Sequence, residues 1–367
     1  MSSLLHLLNT LCPQGVRYYE LGSVTNVLRG KRLTKKMLAE DGEYPVYHGG
    51  LDPMGFYNDY NRTPGTVMVI NVGVSAGTVG YCEREFWSSD GCYCIDHCDL
   101  ILDKYMFHWL SNSEPFLKSQ VRVAGIPTLN RKVLQHINVA VPSIEIQKEI
   151  VRILDSFVEL PDVLEKEIGL RKQQFEYCQY VLFKGSDSAE RIKLSECCNL
   201  EKGRTPIQKA VPGEYPLVVT TSQRKSSSDY QFDQPTVCVP LVSSRGHGVA
   251  CLNQIYYQEG KFALGNILCG VTPQNSNFLS AEYLYYYLNF KKDVLIVPLM
   301  KGGANVSLTV NALRGVEVVV PPIEEQNRMI AKLKPFEELI NEISKEIKMR
   351  KEQFSYFRRK LFKCMET

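Results

Sequence analysis

The clearest pattern of apolar and polar positions lies within residues 320–363. Apolar side chains recur there at alternating steps of four and three residues, with charged side chains between them and an arginine at one seam position. Such a heptad repeat predicts a long amphipathic helix whose apolar stripe must pack against a partner. The seam consists of Phe336, Ile340, Ile343, Ile347, Arg350, Phe354, Phe357 and Leu361.

The same segment occurs a second time, at residues 141–184. The two copies align without a gap at an offset of 179 residues, and 20 of the 44 positions are identical. Because a different stretch of sequence lies between the copies, the chain can return and pack them as an antiparallel pair about 60 Å long. Pro161 replaces an apolar seam residue and should kink the first helix or start a new one, since proline is tolerated in a first helical turn. The seam of the first copy is Phe157, Pro161, Leu164, Ile168, Arg171, Phe175, Cys178 and Leu182.

The remaining sequence reads as mixed α and β in both halves. Residues 67–74 are a continuous apolar, β-branched run that predicts a buried strand. Residues 103–110 have aromatic and apolar side chains at helical spacing, and residues 281–288 match them in place. GEYPV at 42–46 is likewise echoed by GEYPL at 213–217, so the scaffold is duplicated although the loops have diverged.

These patterns predict an α+β fold with two similar mixed α/β domains. The domains would be separated by a long antiparallel two-helix coiled coil built from the two repeated helical segments. We predict the first domain at 1–142, the first spacer helix at 143–184, the second domain at 185–320 and the second spacer helix at 321–367. Two similar domains on a stiff spacer with approximate two-fold symmetry suit a DNA duplex that carries a bipartite target sequence, because half-sites on one face of DNA lie about one helical turn apart.

Composition narrows the functional classes. The chain of 367 residues is 44% hydrophobic and 23% charged, and no apolar run approaches the roughly 20 residues that span a bilayer. The N-terminus lacks the basic region and cleavage site of a signal peptide, so we expect a short packing helix there and no membrane role. A phosphate-binding GxxxxGK[ST] loop and the Asn/Asp-Pro-Pro-Tyr motif of amino-methyltransferases are absent, which indicates that the chain carries no catalysis and no cofactor.

Twelve cysteines are scattered over positions typical of the core, which indicates a reducing, cytoplasmic setting. Their densest group has no CxxC pair and fits no common zinc knuckle. The ordinary interpretation is alternating inward and outward positions of a strand at GCYCI (91–95), and zinc remains the alternative. The group is Cys82, Cys92, Cys94, His97 and Cys98.

The net charge of +3 is too small for binding by bulk charge, so a nucleic-acid partner would require local basic clusters. Five basic residues do fall within eight positions, at Arg29, Lys31, Arg32, Lys35 and Lys36. The ordinary alternative for a single cluster of this kind is a solvated face.

Several motifs resemble a known family. PSIEIQ at 142–147 and RKQQFEY at 171–177 recur as PPIEEQ at 321–326 and RKEQFSY at 350–356. These duplicated motifs resemble the conserved regions of specificity (S) subunits of type I restriction-modification systems, and residues 44–60 resemble the start of many of their target-recognition domains. The resemblance covers the whole chain.

The resemblance implies that each domain is a target-recognition domain that reads one half of a bipartite double-stranded DNA sequence. The coiled coil would then set the spacer and dock two methyltransferase (modification) subunits, which methylate adenine, and through them ATP-dependent restriction subunits. The alternative is a coiled-coil scaffold that displays two protein-binding domains and has no role with DNA.

Candidate residues follow from this chemistry, because lysine and arginine position a protein on phosphates while arginine, asparagine and glutamine read base edges. The candidates in the first domain are Lys31, Arg32, Thr34, Lys35, Lys36, Tyr47, His48, Gly49, Ser75, Gly77 and Thr78. Those in the second domain are Lys202, Arg204, Thr205, Ser222, Gln223, Arg224, Lys225, Ser243, Ser244, Arg245 and His247. The residues expected to bind the partner subunits are Gln147, Glu167, Arg171, Gln174, Tyr177, Gln326, Glu346, Arg350, Gln353 and Tyr356.

Overall fold

A computed structural model describes residues 2–157, 159–184, 190–221 and 225–365. The chain divides into two compact units. Unit 1 contains residues 1–166 and 345–367, and unit 2 contains residues 167–344. Each unit therefore includes one globular domain and part of each repeated helical segment.

Unit 1 contains nine short strands and the helices that cover them within the described residues. The strands are β1 Tyr18–Glu20, β2 Val27–Arg29, β3 Tyr44–Tyr47, β4 Gly55–Tyr57, β5 Thr66–Ile70, β6 Val79–Cys82, β7 Trp87–Ser88, β8 Cys92–Ile95 and β9 Asn138–Ala140. The helices are α1 Ser2–Leu11, α2 Leu21–Val24, α3 Asp103–Asn112, α4 Glu114–Ser119, α5 Arg131–Gln135 and α6 Ile144–Asp155, followed by α7 Glu159–Lys184, which continues into unit 2.

Unit 2 repeats this order along the chain. Its strands are β10 Arg191–Lys193, β11 Cys198–Lys202, β12 Tyr215–Val218, β13 Lys225–Ser227, β14 Thr236–Pro240, β15 Tyr256–Gln258, β16 Ala263–Leu264, β17 Leu268–Pro273 and β18 Glu317–Val319. Its helices are α8 Leu194–Cys197, α9 Ala281–Leu295, α10 Val310–Arg314 and α11 Ile323–Lys363, the last of which continues into unit 1.

The two units have the same sheet topology. Unit 1 has a four-stranded antiparallel sheet in the order β2-β8-β5-β6, a three-stranded sheet β4-β3-β7 with β3 and β7 parallel, and the pair β1-β9. Unit 2 has β11-β17-β14-β15, then β13-β12-β16 with β12 and β16 parallel, and the pair β10-β18. This duplication confirms the predicted α+β fold with two similar domains.

The central strands of unit 1 are buried on both faces. Every residue of β5 and of β8 is buried. In β8, Tyr93 and Ile95 face the main core, while Cys94 faces a second small core with Met68 of β5. The buried strand predicted at 67–74 is therefore confirmed over its first part. The strand with alternating positions predicted at GCYCI is confirmed over Cys92–Ile95, but its outward face is not exposed, because a second layer covers that face.

The helices predicted from aromatic spacing are confirmed. α3 buries Tyr105, Met106, Trp109 and Leu110, and α9 at the matching place buries a tyrosine-rich face. The N-terminal segment forms α1, and Leu8 packs into the core of unit 1.

The first helical segment is interrupted and the second is continuous. α6 ends at Asp155 and α7 begins at Glu159, so Pro161 lies in the first turn of a new helix, as predicted. The sequence reasoning overlooked Pro335, which lies inside α11 at the place that Ser156 occupies in the first copy. Helix α11 continues through this proline while the residues beside it are held by α9: Lys334 pairs with Glu282 at 3.0 Å, and Glu337 accepts hydrogen bonds from two tyrosines.

The end of each helical segment packs into a domain core. In unit 2, Phe183 of α7 is buried against Tyr283 and Tyr287. In unit 1, the matching Phe362 of α11 is buried against Tyr105 and Trp109. The residues of unit 1 also show antiparallel pairing of the two segments: Phe157 stacks on Phe357 at 5.2 Å, and Glu165 pairs with Lys351.

Candidate nucleic-acid interface

The basic loop of unit 1 is held by a close backbone approach. A Cβ atom on Gly30 would lie 2.0 Å from the carbonyl oxygen of Ser89, so only glycine fits. Leu33 is buried and its N–H donates to Ser89 Oγ at 3.2 Å. The side chains around this anchor, Lys31, Arg32, Thr34, Lys35 and Lys36, are exposed. The loop therefore has a fixed base and a basic outer face.

The matching loop of unit 2 has the same base. A Cβ atom on Gly203 would lie 2.1 Å from the carbonyl oxygen of Gly265. The N–H of Thr205 donates to Leu264 O at 3.1 Å, and the N–H of Arg204 donates to Gln231 Oε1 at 2.9 Å. Lys202 and Arg204 are exposed, while the guanidinium of Arg204 is paired with Glu201 at 2.5 Å.

The segment Tyr47-His48-Gly49 lies beside the base of the basic loop, because the N–H of Ser89 donates to Tyr47 O at 3.0 Å. The Tyr47 ring packs edge-on against Phe86, and burial raises the pKa of its hydroxyl to about 12, so it remains a hydrogen-bond donor at neutral pH. His48 is exposed with Nδ1 3.3 Å from Asp90 Oδ1. Gly49 adopts a left-handed φ of 69°. The structure thus brings this segment and the basic loop together.

The turn between β5 and β6 contains Ser75, Gly77 and Thr78. Ser75 and Thr78 are partly exposed, and the N–H of Thr78 donates to Ser75 O at 3.0 Å. Gly77 is buried with a φ of 87°, and a Cβ atom there would lie 3.0 Å from Lys118 of α4. The prediction that Gly77 approaches DNA is corrected: this glycine allows the turn to pack against α4.

The corresponding connection in unit 2 is organised by one hydroxyl. Ser243 Oγ accepts hydrogen bonds from the N–H groups of Arg245 and Cys251, both at 3.2 Å, and donates to Val249 O at 2.6 Å. Ser244, Arg245 and His247 are exposed, and His247 has a left-handed φ of 60°. Lys225 is exposed at the start of β13. Three further candidates, Ser222, Gln223 and Arg224, lie outside the described residues.

Sequence reasoning missed a polar cleft in unit 2. It has a volume of about 410 Å³, and the connections that follow β12 and β14 both contribute to its walls. Asn253 and Gln254 contribute exposed amides to it. The available signal was the order apolar-amide-amide-apolar in residues 252–255. The other polar lining residues include Thr220, Thr221, Ser243 and Ser244.

The two helical segments carry identical polar networks on their surfaces. In α7, Arg171 bonds Glu167 Oε1 at 3.2 Å and Gln174 Oε1 at 3.3 Å. In α11, Arg350 bonds Glu346 Oε1 at 2.7 Å and Gln353 Oε1 at 3.4 Å.

One turn further along each helix, the matching tyrosines Tyr177 and Tyr356 are 71% and 55% exposed. Eight of the ten residues expected to contact partners therefore form two matching patches that are at least partly accessible, one in each unit.

The remaining two, Gln147 and Gln326, have no exposed surface. Gln147 Oε1 accepts from the N–H of Leu102 at 2.8 Å, and its Nε2 donates to Leu100 O and Pro142 O. A side chain without accessible surface cannot touch a partner subunit when the chain has this conformation. The prediction that Gln147 and Gln326 contact a partner is therefore corrected.

Gln326 makes the same three bonds in unit 2, to Ser280 N, Phe278 O and Pro321 O. Each glutamine fixes the start of a helical segment to its own domain.

Among the described residues, no group of three or more histidine, cysteine, aspartate or glutamate side chains is arranged to hold a metal ion. This statement covers the cysteine-rich group Cys82, Cys92, Cys94, His97 and Cys98. Nδ1 of His97 instead lies 2.9 Å from Asp103 Oδ2. None of the helices in the part of the chain that the structure describes is long and apolar enough to cross a membrane.

Comparisons with known proteins agree with the duplicated architecture. The family model described as Type I restriction modification DNA specificity domain matches the chain twice, over residues 13–169 and 187–350. The Mycoplasma pneumoniae protein S.MpnORF507P, named as a candidate type I specificity subunit, is 24% identical in an alignment 376 residues long that covers 96% of this chain and 99% of that protein.

The specificity subunit of the Escherichia coli type I restriction enzyme EcoR124I/EcoR124II is 26% identical over 299 residues, covering 73% of this chain and 72% of that protein. A solved S subunit of a type I restriction-modification system from M. genitalium shares the fold with a TM-score of 0.67 at 16% identity, covering 95% of this chain and 96% of that one.

Proposed function

Because the chain belongs to the family of type I restriction-modification DNA specificity domains, with two such domains in tandem, we propose that it is the non-catalytic DNA-reading subunit of a type I restriction-modification complex. Each unit reads one half of a bipartite double-stranded sequence. The observation that carries the proposal is a loop frame that is built twice and carries different side chains each time.

The frame is the close approach of Gly30 in unit 1 and of Gly203 in unit 2 to the turn that follows a parallel edge strand. It presents a run of lysine, arginine and threonine in unit 1, and a shorter basic pair in unit 2. Lysine and arginine on phosphates position a protein, and side chains at base edges specify the sequence. Since the frame is shared and the exposed residues differ, the two half-sites differ in sequence.

Salt dependence of duplex binding tests the DNA role. Affinity for a duplex that carries both half-sites should fall steeply as salt rises, because each neutralised phosphate releases counterions. The double variant Lys35→Ala, Lys36→Ala should weaken binding and lower the slope of log K against log salt by about 1 to 2. The matched control is Lys332→Ala, an exposed lysine of α11 in unit 2. A chain that binds no duplex at low salt would favour the scaffold alternative.

We further propose that the two helix patches bind two methyltransferase subunits, which methylate adenine, and through them ATP-dependent restriction subunits. The support is the repetition of one Glu-Arg-Gln network beside an exposed tyrosine in each unit. Glu167→Lys and Glu346→Lys should each reduce the number of bound methyltransferase subunits without unfolding the chain. Glu338→Lys, a reversal at another exposed position of α11, is the control. Normal assembly of both patch variants would place the contact elsewhere.

We also propose that the helices set the spacer between the half-sites. The support is their length, since the 41 residues of α11 correspond to about 60 Å. Inserting one matched heptad into each helical segment should change the number of unread base pairs and leave both half-sites the same. Altered half-sites would argue against a separate spacer function.

A further inference from the structure

The connection between β14 and β15 in unit 2 is longer than its counterpart in unit 1. It comprises residues 241–255, whereas residues 71–78 connect β5 to β6. The longer connection contains no acidic residue and carries an exposed arginine, Arg245. The composition of this connection is therefore compatible with binding a polyanion. The residues by which it exceeds the β5–β6 connection have no equivalent in unit 1.

Asn253 and Gln254 lie in this connection on a fixed backbone. The residues on either side, Leu252 and Ile255, are buried at 1% and 2% exposure. Asn289 of α9 holds Ile255 from both sides, because its Oδ1 accepts from the Ile255 N–H at 3.0 Å and its Nδ2 donates to Ile255 O at 3.2 Å. The N–H of Asn253 donates to Ser244 Oγ at 3.0 Å. Two exposed amides are thus presented by a backbone pinned at three points.

Asn253 and Gln254 both line the cleft of about 410 Å³, whose other polar lining residues include Thr220, Ser243 and Ser244. The cleft wall is formed by two connections that follow central strands of unit 2. A rigid, polar recess with paired amides is suited to reading a base edge, because little conformational entropy is lost when the contact forms.

We propose that Asn253 and Gln254 read an adenine in the half-site recognised by unit 2, an inference that rests on the proposed DNA-reading function. In this contact the carboxamide oxygen of one of the two side chains accepts a hydrogen bond from the adenine N6 amino group, and the nitrogen of the same carboxamide donates to N7. Other base pairs do not offer this donor and acceptor in the same order in the major groove. Loss of one such contact lowers discrimination by about ten-fold to a hundred-fold.

The test maps adenine methylation made by the complex of the full chain with its methyltransferase on a library of duplexes. The variants are Asn253→Ala, Gln254→Ala and Gln254→Glu, with Asn277→Ala as the control because Asn277 is an exposed amide elsewhere in unit 2. The alanine variants should relax an A·T preference at one position of a single half-site by about ten-fold or more. Gln254→Glu should shift that preference toward C·G, because a carboxylate accepts from the cytosine N4 amino group. A merely structural role for Gln254 would not create this new preference.

The outcomes separate this inference from the proposed function. Unchanged preferences in both half-sites for all three variants, with a chain-dependent motif still present, would overturn the adenine contact and leave the DNA-reading function intact. Relaxation in both half-sites together would also overturn it, because the two residues lie in one unit. Absence of any chain-dependent motif for the unsubstituted chain would overturn both.

Discussion

Replacing the buried glutamine at the start of a helical segment should cost about 3 kcal/mol of stability. Gln147 is fully buried and makes three hydrogen bonds to backbone groups at 2.8 to 3.0 Å. Leucine has a similar volume, so Gln147→Leu leaves little cavity but strands the N–H of Leu102 and the carbonyls of Leu100 and Pro142. Each stranded buried group costs about 1 kcal/mol or more.

Urea unfolding followed by tryptophan fluorescence measures this effect in unit 1, because both tryptophans of the chain, Trp87 and Trp109, lie there. With a slope of about 2 kcal/mol per molar urea, Gln147→Leu should lower the midpoint by roughly 1.5 M. Gln326→Leu should have the matching effect on unit 2, followed by circular dichroism. The control is Gln173→Leu, an exposed glutamine of α7 that should change stability by less than about 0.5 kcal/mol. A midpoint for Gln147→Leu equal to that of the control would refute the assignment of these glutamines as positioning residues.

Three further predictions follow from single contacts. Burial lowers the pKa of His108 below 6.5. The stability that the neutral imidazole contributes is therefore fully present above pH 6.5 and is lost as the pH falls through the pKa of the folded state. Unfolding measured as a function of pH should show this loss, and His108→Gln should make the loss smaller. Gly30→Ala and Gly203→Ala should each lower the free energy of unfolding, measured by thermal unfolding, by more than about 2 kcal/mol, because the added Cβ atom clashes with a carbonyl oxygen. Gly50→Ala should lower it far less, because a Cβ atom there meets open space. Equal losses for the three variants would contradict the close approach of Gly30 and Gly203 to the carbonyl oxygens. In unit 2, Glu282→Lys should cost about 0.5 kcal/mol through repulsion of Lys334, and a second change, Lys334→Glu, should restore it; a double-mutant cycle without coupling would show that the pair contributes nothing.

The fold could be predicted because its signals are periodic and occur twice. The seam of 336–361 and its copy predicted the helical segments, and the aromatic spacing at 103–110 and 281–288 predicted α3 and α9. The repeat at an offset of 179 residues also predicted that the domains are duplicated. These signals are local or strictly repeated, so no tertiary information was needed to find them.

The errors concern residues whose role depends on distant partners. The motif around Gln147 indicated importance but could not show that its amide faces Leu100 and Leu102. Gly77 was assigned to DNA because glycine allows close approach, and the approaching group is α4 rather than a phosphate. The sequence also did not show that the first segment is interrupted after Asp155 while α11 continues through Pro335, beside which Lys334 pairs with Glu282 of α9. The cleft of Asn253 and Gln254 requires two loops that are more than twenty residues apart in the sequence.

The most direct test of the central claim is single-molecule sequencing of host DNA that maps methylated adenines with and without this chain, while the neighbouring methyltransferase is expressed and active. The account predicts a split motif that appears only when the chain is present, with two different half-sites separated by unread base pairs. Identical methylation maps in the two hosts would contradict it and would favour a protein scaffold without a role in reading DNA.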